Sequence, residues 1–173
     1  SLLKNADVLD IVNNANKYGI EVSEVTINWG KIIKRSRDVA KRLSKGVEFL
    51  MKKNKIDYIP AKGRLIGEGK VKITDINGSI VEAFAKNIII ATGASPKWFP
   101  GMEPDGKNII TYKEAMILDK QPKSLVIIGA GAIGVEFAHF YQTFGTEVTL
   151  IEAFPNILPI EDNDISTELE KIF

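Results

Sequence analysis

Residues 125–140 read LVIIGAGAIGVEFAHF. An apolar run enters Gly129, Gly131 and Gly134 directly, and a helical apolar pattern leaves them. GxGxxG after a strand and at the start of a helix is the arrangement in which a chain folds around a phosphate pair. Gly129 permits the tight turn, Gly131 lets the backbone approach a pyrophosphate, and Gly134 lets the helix lie close on the strand. The start of that helix offers unpaired N–H groups and a positive dipole end to the anion.

The flanking residues complete a βαβ unit. A second strand, EVTLIE, follows Gly145 and ends at Glu152, 18 residues past Gly134. An acid there accepts hydrogen bonds from both hydroxyls of an adenosine ribose and repels a 2′-phosphate. No arginine lies between Glu152 and Phe173 to bind such a phosphate, so the expected nucleotide is NAD(H) rather than NADP(H). The ordered set of strand, glycines, helix, strand and terminal acid is far more specific than the glycines alone.

Composition bounds the rest. The chain has 173 residues, 45% hydrophobic and 26% charged, enough for a packed core of one domain or two small ones. A formal charge of +1 argues against a polyanion partner, and no apolar window is long enough for a membrane span. The start, SLLKNADVLD, lacks the layout of a signal peptide and resembles the inside of a helix. With no cysteine, the chain carries neither disulfide nor thiol chemistry of its own. No metal-ligand cluster, HExxH or Ser/His/Asp set is present, and the one histidine, His139, is expected as a partly packed helix residue.

Residues 2–17 place Leu2, Ala6, Leu9, Val12 and Ala15 at helical spacing, with Gly19 as a stop. Asn28 suits the N-cap of a longer helix whose apolar stripe is Trp29, Ile32, Ile33, Ala40, Leu43, Val47, Leu50 and Met51. Between Lys31 and Lys55 stand ten Lys or Arg against Asp38 and Glu48. Those cations spread around the helix without interleaved aromatics, which favours a solvated face over nucleic-acid binding. VKITDINGSIVEAFA predicts a hairpin with a two-residue type I′ turn at Asn77-Gly78. NIIIATGASP predicts a strand buried on both faces, as in a parallel sheet. Pro96, Pro100, Gly101, Pro104 and Gly106 mark a connection. Thr111 and Glu114 have capping-box spacing for a short helix closed off by Pro122, and IEDNDISTELE reads as a final helix starting near Asp164.

Taken together, NIIIATGASP, the proline-rich connection, VIIGAGAIGVEFAHFYQTFGTEVTLIEA and ILPIEDNDIS resemble the dihydrolipoamide dehydrogenases, flavoenzymes of the pyridine nucleotide-disulfide oxidoreductase family, along the whole chain. The resemblance implies an α/β, two-dinucleotide-binding-domain flavoprotein fold, with both domains incomplete in this chain. It places part of an FAD-binding domain in 1–120 and the N-terminal part of an NAD-binding domain in 121–173. Carried over by position, Gly63, Thr92, Gly93 and Ala94 contact FAD. Gly129, Ala130, Gly131, Ala132, Ile133, Gly134, Val135, Glu136 and Glu152 hold NAD, with Glu136 towards the nicotinamide. Ala132 departs from the larger side chain usual in the family, which removes support for gating of the nicotinamide path there.

The same resemblance implies an internal stretch of a longer protein, whose redox cysteine pair and catalytic His/Glu pair lie outside it, so that no catalytic residue falls in this chain. The implied reaction is oxidation of protein-bound dihydrolipoamide by NAD⁺ through FAD and a disulfide. Its partners would be the lipoyl domain of a 2-oxo acid dehydrogenase complex and a second copy of the protein, in the cytoplasm of a bacterium or the mitochondrial matrix. Rival readings are another disulfide reductase or an NADH oxidase of the same fold, or a non-catalytic NAD-sensing module.

Overall fold

A computed structural model describes all residues, Ser1–Phe173. In chain order the elements are α1 (Leu2–Asn13), α2 (Trp29–Lys53), β1 (Lys62–Gly67), β2 (Lys70–Thr74), β3 (Ile80–Phe84), α3 (Tyr112–Ala115), β4 (Ser124–Ile128), α4 (Ala132–Thr143), β5 (Glu147–Ile151) and α5 (Asn163–Glu170). They form two compact units, one of Ser1–Ala40 with Trp98–Phe173 and one of Lys41–Lys97. The division is discontinuous in sequence because α1 and the start of α2 pack with the βαβ segment rather than with their chain neighbours.

In the first unit, β4 and β5 pair in parallel, from Ser124 opposite Glu147 to Ile128 opposite Ile151. The intervening helix α4 buries Val135, Ala138, Phe140 and Tyr141. With Phe144, Ala6, Leu9 and Trp29 these aromatics form the core, the Trp29 and Phe140 rings lying 5.5 Å apart. Both polar aromatic tips are satisfied, as burial of such groups demands. Trp29 Nε1 donates to the Leu118 carbonyl at 2.7 Å and the Tyr141 hydroxyl to the Ala115 carbonyl at 2.6 Å. The core thereby fixes the axis of α4, the helix that follows the glycines.

The local start and stop signals operate largely as their chemistry suggests. Asn28 Oδ1 accepts from the Lys31 N–H at 2.9 Å and opens α2. At α3 the full capping box forms, with Thr111 accepting from Lys113 N and Glu114 accepting from Thr111 N. Asp162 caps α5, which starts at Asn163, one residue before the start read from the sequence. The helix expected over 2–17 ends at Asn13 and continues as a 3-10 turn, Ala15–Tyr18, into a left-handed Gly19.

The second unit holds an antiparallel sheet in the order β1-β2-β3. Its two turns reverse the expectation for Asn77-Gly78. Gly78 is left-handed but Asn77 is not, and Asp75 Oδ1 accepts from both Asn77 N and Ser79 N. The aspartate side chain stabilises a longer loop, a turn ending in a left-handed glycine, against the two-residue alternative. The pair with positive φ at both positions is instead Glu68-Gly69, joining β1 to β2.

Other expectations are corrected as well. NIIIATGASP is not a buried strand: it joins neither sheet, and Ile89 is 91% exposed. An apolar run becomes a strand only beside a hydrogen-bonding neighbour, and no strand of this chain pairs with it. Only the first part of the α2 stripe packs, through Trp29, Ile32 and Ile33, whereas Leu43, Val47 and Leu50 are exposed. His139 is exposed, because the inward face of α4 is taken by Phe140 and Tyr141 on one side and Ala138 on the other.

Candidate functional site

The glycine cradle is built at the junction of β4, α4 and β5. Gly129 leaves β4 with φ +104°, and its N–H continues the ladder to the Ile151 carbonyl at 2.8 Å. That left-handed turn is one an L-residue rarely adopts. A Cβ on Gly134 would overlap the Gly129 carbonyl oxygen, so the third glycine is required by helix-on-turn contact. A Cβ on Gly131 would meet nothing within 4 Å, so this glycine borders open space. Gly131 is the N-cap of α4 and no side chain caps the helix. The N–H groups of Ala132, Ile133 and Gly134 therefore have no partner within it. Open space over unpaired donors at a dipole's positive end fits a pyrophosphate.

Glu152, at the end of β5, reaches back into this cradle. Its Oε2 accepts from the Ala130 N–H at 2.7 Å, and its Oε1 accepts from Ala153 N at 2.7 Å and Phe154 N at 3.0 Å. These bonds, the one from Ala130 foremost and that from Phe154 next, hold the carboxyl below the usual glutamate range. The group is thus an anion that already ties the glycine turn to β5, and Oε2 keeps a lone pair for a further donor.

Of the remaining predicted positions, Ala130 and Val135 are buried, while Ala132, Ile133 and Glu136 are exposed around the start of α4. The structure thus brings Gly129 to Glu136 and Glu152 to one place. Gly63 lies on β1, and Thr92, Gly93 and Ala94 lie in the irregular stretch after β3; all four are exposed. Two participants escaped the sequence reading. Leu158 N donates to the Ala130 carbonyl at 2.8 Å, and Ser166 Oγ to the Leu158 carbonyl at 3.2 Å. Leucine carries no turn signal, so nothing in the sequence marks that loop as touching the glycines.

The sequence profile of the pyridine nucleotide-disulphide oxidoreductase family matches residues 4–173. The chain belongs to this family. Among curated members, it is 44% identical over 173 residues to the dihydrolipoyl dehydrogenase of Chlorobaculum parvum, covering 100% of this chain and 37% of that protein. It is 43% identical to the dihydrolipoyl dehydrogenase of Zymomonas mobilis, with the same coverage. The crystal structure of LpdA from Mycobacterium tuberculosis superposes with a TM-score of 0.89 at 28% identity, covering 99% of this chain and 38% of that one. The oxidoreductase-family fold is therefore shared along essentially the whole chain, which spans about 37% of the length of the family members it matches. No helix is long and apolar enough to cross a membrane.

Proposed function

We propose that this chain is the central stretch of an FAD-dependent dihydrolipoamide dehydrogenase, with the NAD cradle in 121–173 and part of the FAD-binding domain in 1–120. The observation that carries the nucleotide assignment is the glycine junction, where Gly134 packs on the Gly129 carbonyl and open space at Gly131 borders the unpaired start of α4. The dihydrolipoyl dehydrogenase relatives at 43–44% identity support the substrate class.

NAD⁺ bound here supplies the hydride acceptor. The N–H groups of Ala132, Ile133 and Gly134 hold the pyrophosphate, and the helix dipole favours its charge. Glu152 offers its remaining Oε2 lone pair to an adenosine ribose hydroxyl, and its anionic charge disfavours a 2′-phosphate. Ala132, Ile133 and Glu136 are exposed at the start of α4. Family membership supports Glu136 as the residue that would face the nicotinamide. The aromatic core packs beneath α4, the helix that carries these donors.

Gly63, Thr92, Gly93 and Ala94 are the proposed FAD contacts. All four are exposed, and family membership supports the assignment. The lipoyl domain of a 2-oxo acid dehydrogenase complex, a homodimer, and a cytoplasmic or mitochondrial-matrix setting belong to the same proposal.

The test is dihydrolipoamide oxidation by the natural-length protein, purified with its flavin, with NAD⁺ and NADP⁺ compared as acceptors. Turnover is expected with NAD⁺ and strongly reduced with NADP⁺. Equal rates would remove the nucleotide assignment, and turnover only with another disulfide substrate would move the protein elsewhere in the family. The 173-residue chain alone is expected to show no turnover.

A further inference from the structure

We propose that Leu158 is a positioning residue for the nucleotide, acting through a clamp on Ala130. The peptide groups flanking Ala130, the middle of the GxG turn, are held by one acceptor and one donor that both follow β5. On one side the Ala130 N–H is taken by Glu152 Oε2 at 2.7 Å; on the other, the Ala130 carbonyl is taken by Leu158 N at 2.8 Å. Ala130 itself is fully buried, so neither bond is exchanged freely for water.

The residue that makes the second grip has an unusual backbone. Leu158 sits at φ +48°, a left-handed conformation that costs a non-glycine residue about 1 kcal/mol or more. That strain persists only where the surroundings over-determine it. Here they do, because the Leu158 carbonyl accepts from Glu161 N at 2.9 Å and from Ser166 Oγ at 3.2 Å. Ser166 is 1% exposed and lies in the first turns of α5, whose N-cap is Asp162. The ILPIEDNDIS run thus links α5 through Leu158 to the glycine turn. No residue from Leu158 to Ser166 needs to touch the nucleotide to set the cradle that receives it.

This inference rests on the NAD reading above, and its test separates the two. Leu158 is replaced in the natural-length protein by Gly, Asn and Ile. Glycine and asparagine enter the left-handed region readily, whereas β-branched isoleucine conserves size and hydrophobicity but resists it. Two quantities are read: hydrogen exchange of the Leu158 and Ala130 amides (position 158 as substituted) without nucleotide, and the dissociation constant for NADH.

The clamp predicts that L158G and L158N keep slow exchange and bind NADH within about twofold of the parent. It predicts that L158I exchanges faster at both amides and binds NADH about tenfold more weakly. Flavin content and melting temperature serve as controls for gross misfolding. If L158I is harmless and the polar L158N is the damaging change, Leu158 acts only by apolar packing and the proposal is overturned. Where L158I fails to fold, Ser166→Ala supplies the same readouts with the backbone at 158 untouched, and unchanged exchange and NADH affinity in it overturn the clamp. Absence of NADH binding by the unsubstituted protein overturns the nucleotide reading and the affinity claim together, while the exchange series still decides the clamp.

Discussion

Glu152 Oε2 accepts a hydrogen bond from the Ala130 N–H at 2.7 Å, so the acid expected to read a ribose also ties the glycine turn to the neighbouring strand. Glu152→Gln keeps one acceptor but removes the charge and turns an amide towards backbone donors. It is expected to weaken NADH binding and narrow the preference over NADPH. Titration of both nucleotides against parent and variant measures this, and an unchanged ratio would refute the selectivity role.

The same bonds are expected to make the first unit sensitive to acid. Backbone donors, Ala130 first, depress the Glu152 carboxyl below its unfolded value of 4.5. Its contribution to stability is complete above that value and is lost as pH falls through the lower folded value. Parent protein is therefore expected to lose more melting temperature than E152Q between neutral pH and that acidic range. Parallel curves for the two would remove Glu152 as a source of acid lability.

Gly131 and Gly134 are expected to respond differently to alanine. Gly134→Ala drives a methyl into the Gly129 carbonyl oxygen, an overpacking that costs about 1–3 kcal/mol and moves α4 off the strand. Gly131→Ala places its methyl in open space, so the fold is retained while NADH affinity falls. Denaturant midpoints and NADH titrations on both variants separate the effects. Equal destabilisation by the two would contradict the geometry.

Tyr141 links α4 to the end of α3 and sets an alkaline limit. Burial pushes its hydroxyl from 10.0 up to about 12. Stability is thus whole below the unfolded value and declines as pH rises from 10.0 through about 12, because the unfolded state ionises first. Tyr141→Phe leaves the Ala115 carbonyl without its donor and is expected to cost about 1–3 kcal/mol at neutral pH. Its stability should also fall less steeply than the parent's across that alkaline window. Denaturant unfolding at neutral and alkaline pH checks both statements.

Thr111→Ala removes the hydroxyl that caps α3 and bonds Glu114 at 2.6 Å. A loss of about 1 kcal/mol is expected, typical of an N-cap. Thr111→Ser keeps the acceptor and is expected to restore most of it. Thermal melts of the two variants give the comparison.

Local chemistry was legible where a signal acts within a few residues. The GxGxxG spacing, the Asn28 cap and the Thr111–Glu114 box all act through backbone groups next to them, and all three form. β4, α4 and β5 were legible because period and glycine punctuation agree. Asn77-Gly78 was misread because the nearby Asp75 carboxylate competes for the same N–H groups. NIIIATGASP was misread because hydrophobicity states a need for burial without supplying a pairing partner.

By itself, then, the sequence determined the βαβ cradle and the position of the acid that closes it, because glycine spacing and strand-helix periodicity are set along the chain. Only the tertiary structure decided that Trp29, far away in sequence, packs beneath α4. Only it put Leu158 into a left-handed backbone against Ala130. Leucine has no local preference for that conformation. The bonds to Ala130, Glu161 and Ser166 impose it, and they exist only once the loop after β5 has folded back over the glycines.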